Sequence, residues 1–286
     1  MHRFYRISKN YFQARSGFLS VLYFMALGVA EKILAQNTSK KSADDLVWIE
    51  KYNILFPNNT TVAEVRTKFP VAYDSIDHIS PRGAANDNTT HRPFNAALQR
   101  HFGNKKITAL DLGCAGGGLV RSLIEDGHMA FGLEGSDFSK KNQLGEWKTC
   151  PLHLFTCDIC EEFEILSNSG ERILFDVITA WEVLEHIPEN KVPGLIQNIS
   201  KHLKNGGLFI ASVDRTPDLN VLKGVVYHHT LQPRGWWLGH FAKENIVEIN
   251  SHTFKTHEFV RGNGLGLKNW DPEIDDAFHL VLVKNI

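Results

Sequence analysis

Cysteine is scarce: the 286 residues hold four, too few for the disulfide framework that staples small secreted domains, and in keeping with a reducing compartment. Cys157 and Cys160 form a C-x-x-C pair, but no second pair at similar spacing completes a structural zinc site. Net charge is almost missing as well. With 31 Lys and Arg against 32 Asp and Glu, the chain offers no broad basic surface to track nucleic-acid phosphates. It also lacks an uninterrupted apolar run of the roughly 20 residues that a bilayer-spanning helix needs; "GFLSVLYFMALGVA" covers only the 14 residues Gly17 to Ala30. Internal repeats and low-complexity tracts are absent. What remains, 43% hydrophobic and 22% charged residues, is ordinary for a globular protein.

The N-terminal end is different in kind. Arg3, Arg6, Lys9 and Arg15 precede the apolar run, and no acid comes before Glu31. Basic residues ahead of a short apolar stretch resemble a secretory signal or a weak signal anchor; an acid-free Arg/Ser segment resembles a mitochondrial presequence. An amphipathic helix packed on the domain, or an extension upstream of a start at Met25, accounts for the same residues. Residues 1–35 are set apart on this basis as a targeting, anchoring or extension segment, with membrane contact through residues 17–35 among the readings. Residues 36–104 are polar and turn-rich and read as a cap of loops and short helices, one around residues 44–52 and one over "PFNAALQRHF" (Pro93 to Phe102).

From residue 107 the pattern changes. The short apolar runs "ITALDLG", "MAFGLEG", "LHLFTCD", "FDVITAW" and "GLFIASV" alternate with amphipathic stretches such as "LVRSLIEDG" and "VPGLIQNISKHLKNGG". Strands of about five residues alternating with helices imply a parallel sheet covered on both faces. "AFHLVLVKN" near the C-terminus is a further strand.

The stretch "ALDLGCAGGG" ends the first of these strands and leads into a helix near Leu119. A strand-to-helix turn so bare of side chains lets backbone N–H groups approach a ligand. Such a turn also serves dinucleotide dehydrogenases, but these usually place an apolar residue where Asp111 stands. An acid there suits loop amides or a cationic ligand, and S-adenosylmethionine is a nucleoside that carries an ammonium and a sulfonium. Later acids fall where an adenosine would need them. Glu134 ends the second strand about 20 residues on, placed for a ribose diol. Asp158 follows the third, placed for the adenine amine, with Ile159 against the ring. Trp181 and Glu182 stand at the carboxyl end of the fourth strand.

Together, "LDLGCAGGG", "GLEGS", "FTCDI", "FDVITAWEVLEHI" and "HLKNGGLFIASV" resemble the class I S-adenosylmethionine-dependent methyltransferases, over roughly residues 105–286. The resemblance implies an α/β, Rossmann-like sheet of seven strands, mostly parallel with an antiparallel last strand, and helices on both faces. It carries over Asp111, Gly113, Ala115, Gly117, Glu134, Asp158, Ile159 and Trp181 as cofactor contacts, with Arg92 reaching the methionine carboxylate. Ala115 departs from the glycine that many members have. The activity implied is methyl transfer from S-adenosylmethionine to a small molecule, at a hydroxyl. A non-catalytic S-adenosylmethionine-binding protein and an NAD-dependent oxidoreductase are the alternatives; Asp111 and the terminal strand speak against the latter.

His186 and Glu182 are the candidate catalytic residues, His186 as a base because its ordinary pKa lies near 6.5. "EVLEHI" contains E-x-x-E-H, which resembles ubiquinone-pathway O-methyltransferases and small-RNA 2′-O-methyltransferases. By that resemblance Glu182, Glu185 and His186 hold a divalent cation such as Mg, which lowers the pKa of the acceptor hydroxyl. Three residues apart on a helix, the two acids would share a face; His228, His229 or His240 would supply a further ligand. Many members carry the same pattern without metal, the His ordering the loop. The segment "HHTLQPRGWWLGHF" (His228 to Phe241) reads either as a wall of the acceptor pocket or, for Trp236, Trp237 and Phe241, as the buried face of a helix.

Overall fold

The computed structural model describes residues 42–57, 62–103, 105–220, 224–249, 251–261 and 277–285. The basic and apolar segment 1–35 lies outside them. The chain divides into two compact units, Met1–Trp48 and Ile49–Ile286. Of the first, residues 42–48 are described, entering helix α1 (Ala43–Leu55). Among the described residues no helix is long and apolar enough to cross a membrane. The second unit holds the sheet together with most of segment 36–104.

Seven strands form the sheet: β1 (Thr108–Leu112), β2 (Met129–Glu134), β3 (Leu154–Thr156), β4 (Phe175–Trp181), β5 (Leu203–Asp214), β6 (Ile246–Glu248) and β7 (Ala277–Lys284). Their spatial order is β6-β7-β5-β4-β1-β2-β3. The first five pair in parallel. β7 runs antiparallel to β5, from Ala277 opposite Asp214 to Val283 opposite Leu208, and β6 antiparallel to β7. This is the Rossmann-like arrangement that the methyltransferase resemblance implies, with both antiparallel pairings made by its one reversed strand, β7. β6 was not among the expected strands, because "IVE" is flanked by polar residues ("KENIVEINS") and stands in no longer apolar run. Nor was the separate antiparallel pair of Ala63–Thr67 with Phe163–Ser167.

Helices pack onto this sheet because each keeps one apolar stripe. They are α2 (Arg92–Phe102), α3 (Gly118–Glu125), α4 (Val192–His202) and α5 (Arg234–Ala242). Pro93 sits in the first turn of α2, where a missing N–H costs nothing, and left-handed Gly103 ends it. On α4, Val192, Leu195, Ile196 and Ile199 are buried against the sheet's Phe175, Ile178 and Phe209. Each such side chain contributes about 1.5–3 kcal/mol on burial. Strand order reverses on either side of β1, which opens a crevice at the carboxyl ends of β1 and β4, the place where ligands bind in open α/β sheets.

Residues 70–91 arch over that crevice with two short helices, Ile76–Ile79 and Gly83–Asn86. The Ala72 N–H donates to Gly135 O just past β2 (2.9 Å), and the Gly116 N–H to Asp87 O (2.8 Å). The Asp77 carboxylate accepts from the N–H groups of Arg82, Gly83 and Ala84, fixing the start of the second short helix. Lys191 bonds Asp74 (2.7 Å), and Tyr227 Oη donates to Ser80 O (3.1 Å).

Candidate active site

Beneath this arch lies a cavity of about 840 Å³, within the range of small-molecule sites. Of the residues nominated from sequence, Gly113, Ala115, Glu134, Asp158, Ile159, Trp181, Glu182 and His186 line it. Asp111, Gly117, Arg92 and Glu185 do not.

The glycine-rich loop is drawn tight by packing as well as by hydrogen bonding. Gly113 has φ +67°, and a Cβ there would fall 2.5 Å from Val183 Cγ2. Gly117 has φ +87° and opens α3; a Cβ would meet the Leu154 side chain at 2.6 Å. Gly117 is thus required by the loop's own packing. Ala115 holds the left-handed conformation (φ +46°) that glycine would adopt freely. Its N–H donates to Glu134 Oε2 (2.8 Å), and its carbonyl accepts from Trp147 Nε1 (2.8 Å).

Asp111 differs from expectation. Its Oδ1 accepts from Thr179 Oγ1 of β4 (2.7 Å), and it lies buried under the loop. The acid that takes a loop amide is Glu134, whose other oxygen accepts from the Ser136 N–H (2.9 Å). Loop amides thus take up part of this carboxylate's acceptor capacity, and what remains suits a diol. Burial, above all, pushes both the Asp111 and the Glu134 carboxyls up to about 7. Asp158 Oδ1 accepts from the Cys160 N–H (3.0 Å), and Lys191 Nζ stands 3.6 Å from its Oδ2.

Arg92 is not at the cavity. Its guanidinium donates to Ser122 O (3.3 Å) and Asp126 Oδ1 (2.9 Å) and pairs with Glu125, at the C-terminal end of α3. A cation there meets the negative end of the helix and two carboxylates, so it is held away from any ligand of the loop. Distance along the chain gave no sign of this.

The E-x-x-E-H element also folds differently. Glu182 follows the last residue of β4 at φ +56° and accepts at Oε1 from Ser212 Oγ (3.1 Å), while residues 184–186 form a 3₁₀ turn. The two acids therefore share no helix face. Glu185, His186 and His228 converge instead, with one ligand-type atom from each within 4.8 Å of the others. Glu185 is fully buried; Oε1 accepts from the Asp214 N–H (3.2 Å), and Oε2 has no hydrogen-bond partner. Burial, and then the charge of Glu182, raise its carboxyl well above the usual range. His186 Nδ1 donates to Tyr227 O (2.8 Å) and His228 Nδ1 to Thr216 O (2.6 Å). Each ring thus keeps Nε2 as its nitrogen with a lone pair, the arrangement that orients metal-binding histidines. Burial depresses the His186 pKa to about 4.

Trp237 and Phe241 are wholly buried behind the sheet, with Trp236 packed beside them. From the stretch that follows β5, Tyr227 and His229 reach the cavity. The arch contributes Asp77, Arg82 and Asp87, and the segment after β6 contributes Arg261. Of these, sequence reading had named only His229, because a polar, turn-rich segment shows no periodicity to say which side chains face inward.

Strand order, the reversal crevice and the strand-tip carboxylates define a Rossmann-like, class I methyltransferase domain. Residues 87–257 match the family model described as a methyltransferase domain, and the chain belongs to that family. It is 32% identical over 133 residues to a ubiquinone biosynthesis O-methyltransferase of Coxiella burnetii (44% of this chain, 53% of the relative). It is 30% identical over 141 residues to the one of Nitrosomonas europaea (46% and 56%). The chain spans about half the length of the curated relatives it matches. Among solved structures it is similar to a TehB-like SAM-dependent methyltransferase from Corynebacterium glutamicum, with 17% identity, 71% of this chain and 91% of that one covered, and TM-score 0.44. It is also similar to the CcbJ methyltransferase from Streptomyces caelestis (13%, 76% and 98%, TM-score 0.48).

Proposed function

We propose that the protein transfers the methyl group of S-adenosylmethionine to a hydroxyl oxygen of a small molecule. The observation that carries this reading is a single cavity joining the strand-tip carboxylates Glu134 and Asp158 to Glu182 and His186. Glu134 accepts the ribose hydroxyls with the lone pairs its loop bonds leave over. Asp158 accepts from the adenine amine, and Ile159 covers the ring. Gly113 and Ala115 bring backbone against the methionine portion. Bound S-adenosylmethionine supplies a methyl group already made electrophilic by its sulfonium, so the protein's task is alignment and exclusion of water, worth up to roughly 7–11 kcal/mol when reacting groups are well oriented. The arch, closed down by Asp74–Lys191 and Tyr227–Ser80, supplies that enclosure.

Glu185, His186 and His228 fit a divalent cation: two imidazoles fixed through Nδ1 and a buried carboxylate with an unpartnered oxygen make a coherent donor set. Such a cation would supply Lewis acidity toward the acceptor hydroxyl. The second reading keeps His186 as a metal-free base, favoured by its available Nε2 beside the cavity. Relatives in ubiquinone biosynthesis are O-methyltransferases by name, which supports oxygen over nitrogen as acceptor.

The test is incubation with methyl-labelled S-adenosylmethionine and fractionated cell extract, with and without chelator, followed by identification of the product. Label in a methyl ether, lost on chelation and restored by added Mg or Zn, is expected. Label in an N-methyl product would overturn the oxygen assignment. Full turnover in chelator would overturn the metal and leave His186 as base.

A further inference from the structure

Among the described residues three side-chain cations line the cavity, Arg82, Lys191 and Arg261. Two of them are divided between protein acceptors. Lys191 stands between Asp74 and Asp158, and Arg261 donates to Asp87 and to Thr89 Oγ1. Arg82 is different. Its Nη1 donates to Asp218, and among the described residues its guanidinium bonds no other acceptor. One of the five guanidinium N–H groups is thus engaged, and the rest of the fork is open. The group is nevertheless held in place. Its Cζ lies 4.8 Å above the ring of Tyr227, within cation–π range, and the Arg82 backbone N–H is fixed by Asp77 (2.7 Å). Tyr227 is itself anchored, its N–H donating to Asp218 O (3.0 Å) and its hydroxyl to Ser80 O. The Tyr227 carbonyl accepts from His186. Arg82 and His186, which both line the cavity, are therefore held at opposite ends of one buried tyrosine.

From this juxtaposition, and resting on the methyl-transfer reading above, we infer that Arg82 selects an acceptor that carries a carboxylate or a phosphate besides its reacting hydroxyl, the anionic group docking on the open guanidinium fork while the hydroxyl lies toward His186. The planar fork matches two oxygens of such a group at once. The acids nearest to it are otherwise engaged. Asp77 accepts from three backbone N–H groups, and Asp214 Oδ1 accepts from the N–H (2.7 Å) and the hydroxyl (2.6 Å) of Thr216. Asp218 balances the Arg82 charge, so discrimination falls to directed hydrogen bonds rather than to net charge. A guanidinium oriented before the acceptor arrives loses little entropy on binding it. A neutral hydroxyl compound gives the open N–H groups no charged partner, and in this way one arginine separates the two classes of acceptor.

The test separates the small molecules of a cell extract on an anion exchanger and incubates each fraction with methyl-labelled S-adenosylmethionine and the full chain, unchanged or as Arg82→Met. Acceptor activity should sit in the retained fractions, and the labelled product should still bind the exchanger, because the methyl group goes to the hydroxyl. Pretreatment tells the two sources of charge apart: phosphatase should remove a phosphate-bearing acceptor, and carbodiimide amidation a carboxylate-bearing one. Arg82→Met should lower kcat/KM for the retained acceptor roughly 10- to 100-fold, chiefly through KM, the scale of a lost charge-assisted contact. Its affinity for S-adenosylhomocysteine should stay within about twofold. Acceptor activity confined to unretained fractions, or surviving both treatments, would overturn the inference. So would unchanged acceptor turnover in Arg82→Met, or a loss of S-adenosylhomocysteine affinity in step with it, which marks a structural residue. If Arg82→Met fails to fold, Arg82→Lys keeps the charge and loses the fork; it should still raise the acceptor KM with S-adenosylhomocysteine affinity held, and no rise overturns the inference. A folded protein that labels nothing in any fraction would instead sink the methyl-transfer reading, and this inference with it.

Discussion

Asp111 shows how much a single buried carboxyl can decide. Its pKa rises from the usual 3.8 to about 7 because burial penalises the charge more than the Thr179 hydroxyl repays it. The folded state then holds the proton more tightly than the unfolded chain. Stability from this group is full below about pH 4 and is lost as pH climbs toward 7, by up to about 1.4 kcal/mol per pH unit. Asp111→Asn keeps an acceptor for Thr179 and removes the titration. Denaturant unfolding between pH 4.5 and 7 should show a shallower decline for the variant than for the unchanged protein; identical slopes would mean that Asp111 is ionised in the fold. The sequence made this acid conspicuous but not its partner. A side chain under a loop and one facing a ligand look alike in a string of residues, and only the pairing of β1 with β4 distinguishes them.

At the scale of elements, the loop after β1 and the turn after β4 are packed as one object. Gly113→Ala places a methyl group 2.5 Å from Val183 Cγ2 in a backbone region that disfavours side chains. We expect a loss of about 1–3 kcal/mol in denaturant unfolding, part of it recovered in Gly113→Ala/Val183→Ala because the two sites touch. Strict additivity would contradict the contact. Helix α5 makes the opposite point about side chains that look functional. Trp237 is fully buried, so Trp237→Ala should cost about 3–5 kcal/mol while leaving acceptor choice as it was. An unchanged melting temperature with altered substrate choice would refute that. Strands of five or more apolar residues and the helices between them were legible because burial on both faces leaves an unbroken run. Three-residue β6 was not, and the helix expected at Glu182 gave way to a strand end and a 3₁₀ turn.

At the scale of the molecule, the acids recognised at the strand tips and the residues of the arch lie far apart in sequence and meet only when the sheet closes. Glu134, Asp158 and Glu182 were visible because strand ends are fixed points of this topology. Asp87, Arg82 and Arg261 were invisible because nothing local fixes a loop that crosses over them. A ligand filling this cavity touches both sets, and it should therefore stabilise the whole second unit. At 100 times its dissociation constant a ligand adds about 2.7 kcal/mol, and S-adenosylhomocysteine should raise the melting temperature by roughly 5–10 °C. Heating the protein with and without the ligand checks this, and no shift at saturation would count against it.

The most direct measurement is calorimetric titration of S-adenosylhomocysteine into the protein and into Glu134→Gln, which keeps the side chain's shape and removes its charge. The strand-tip account predicts one site per chain, with affinity falling roughly 10- to 100-fold in the variant. A folded protein that takes up no S-adenosylhomocysteine, or one that binds it equally well with and without the Glu134 charge, would contradict the account.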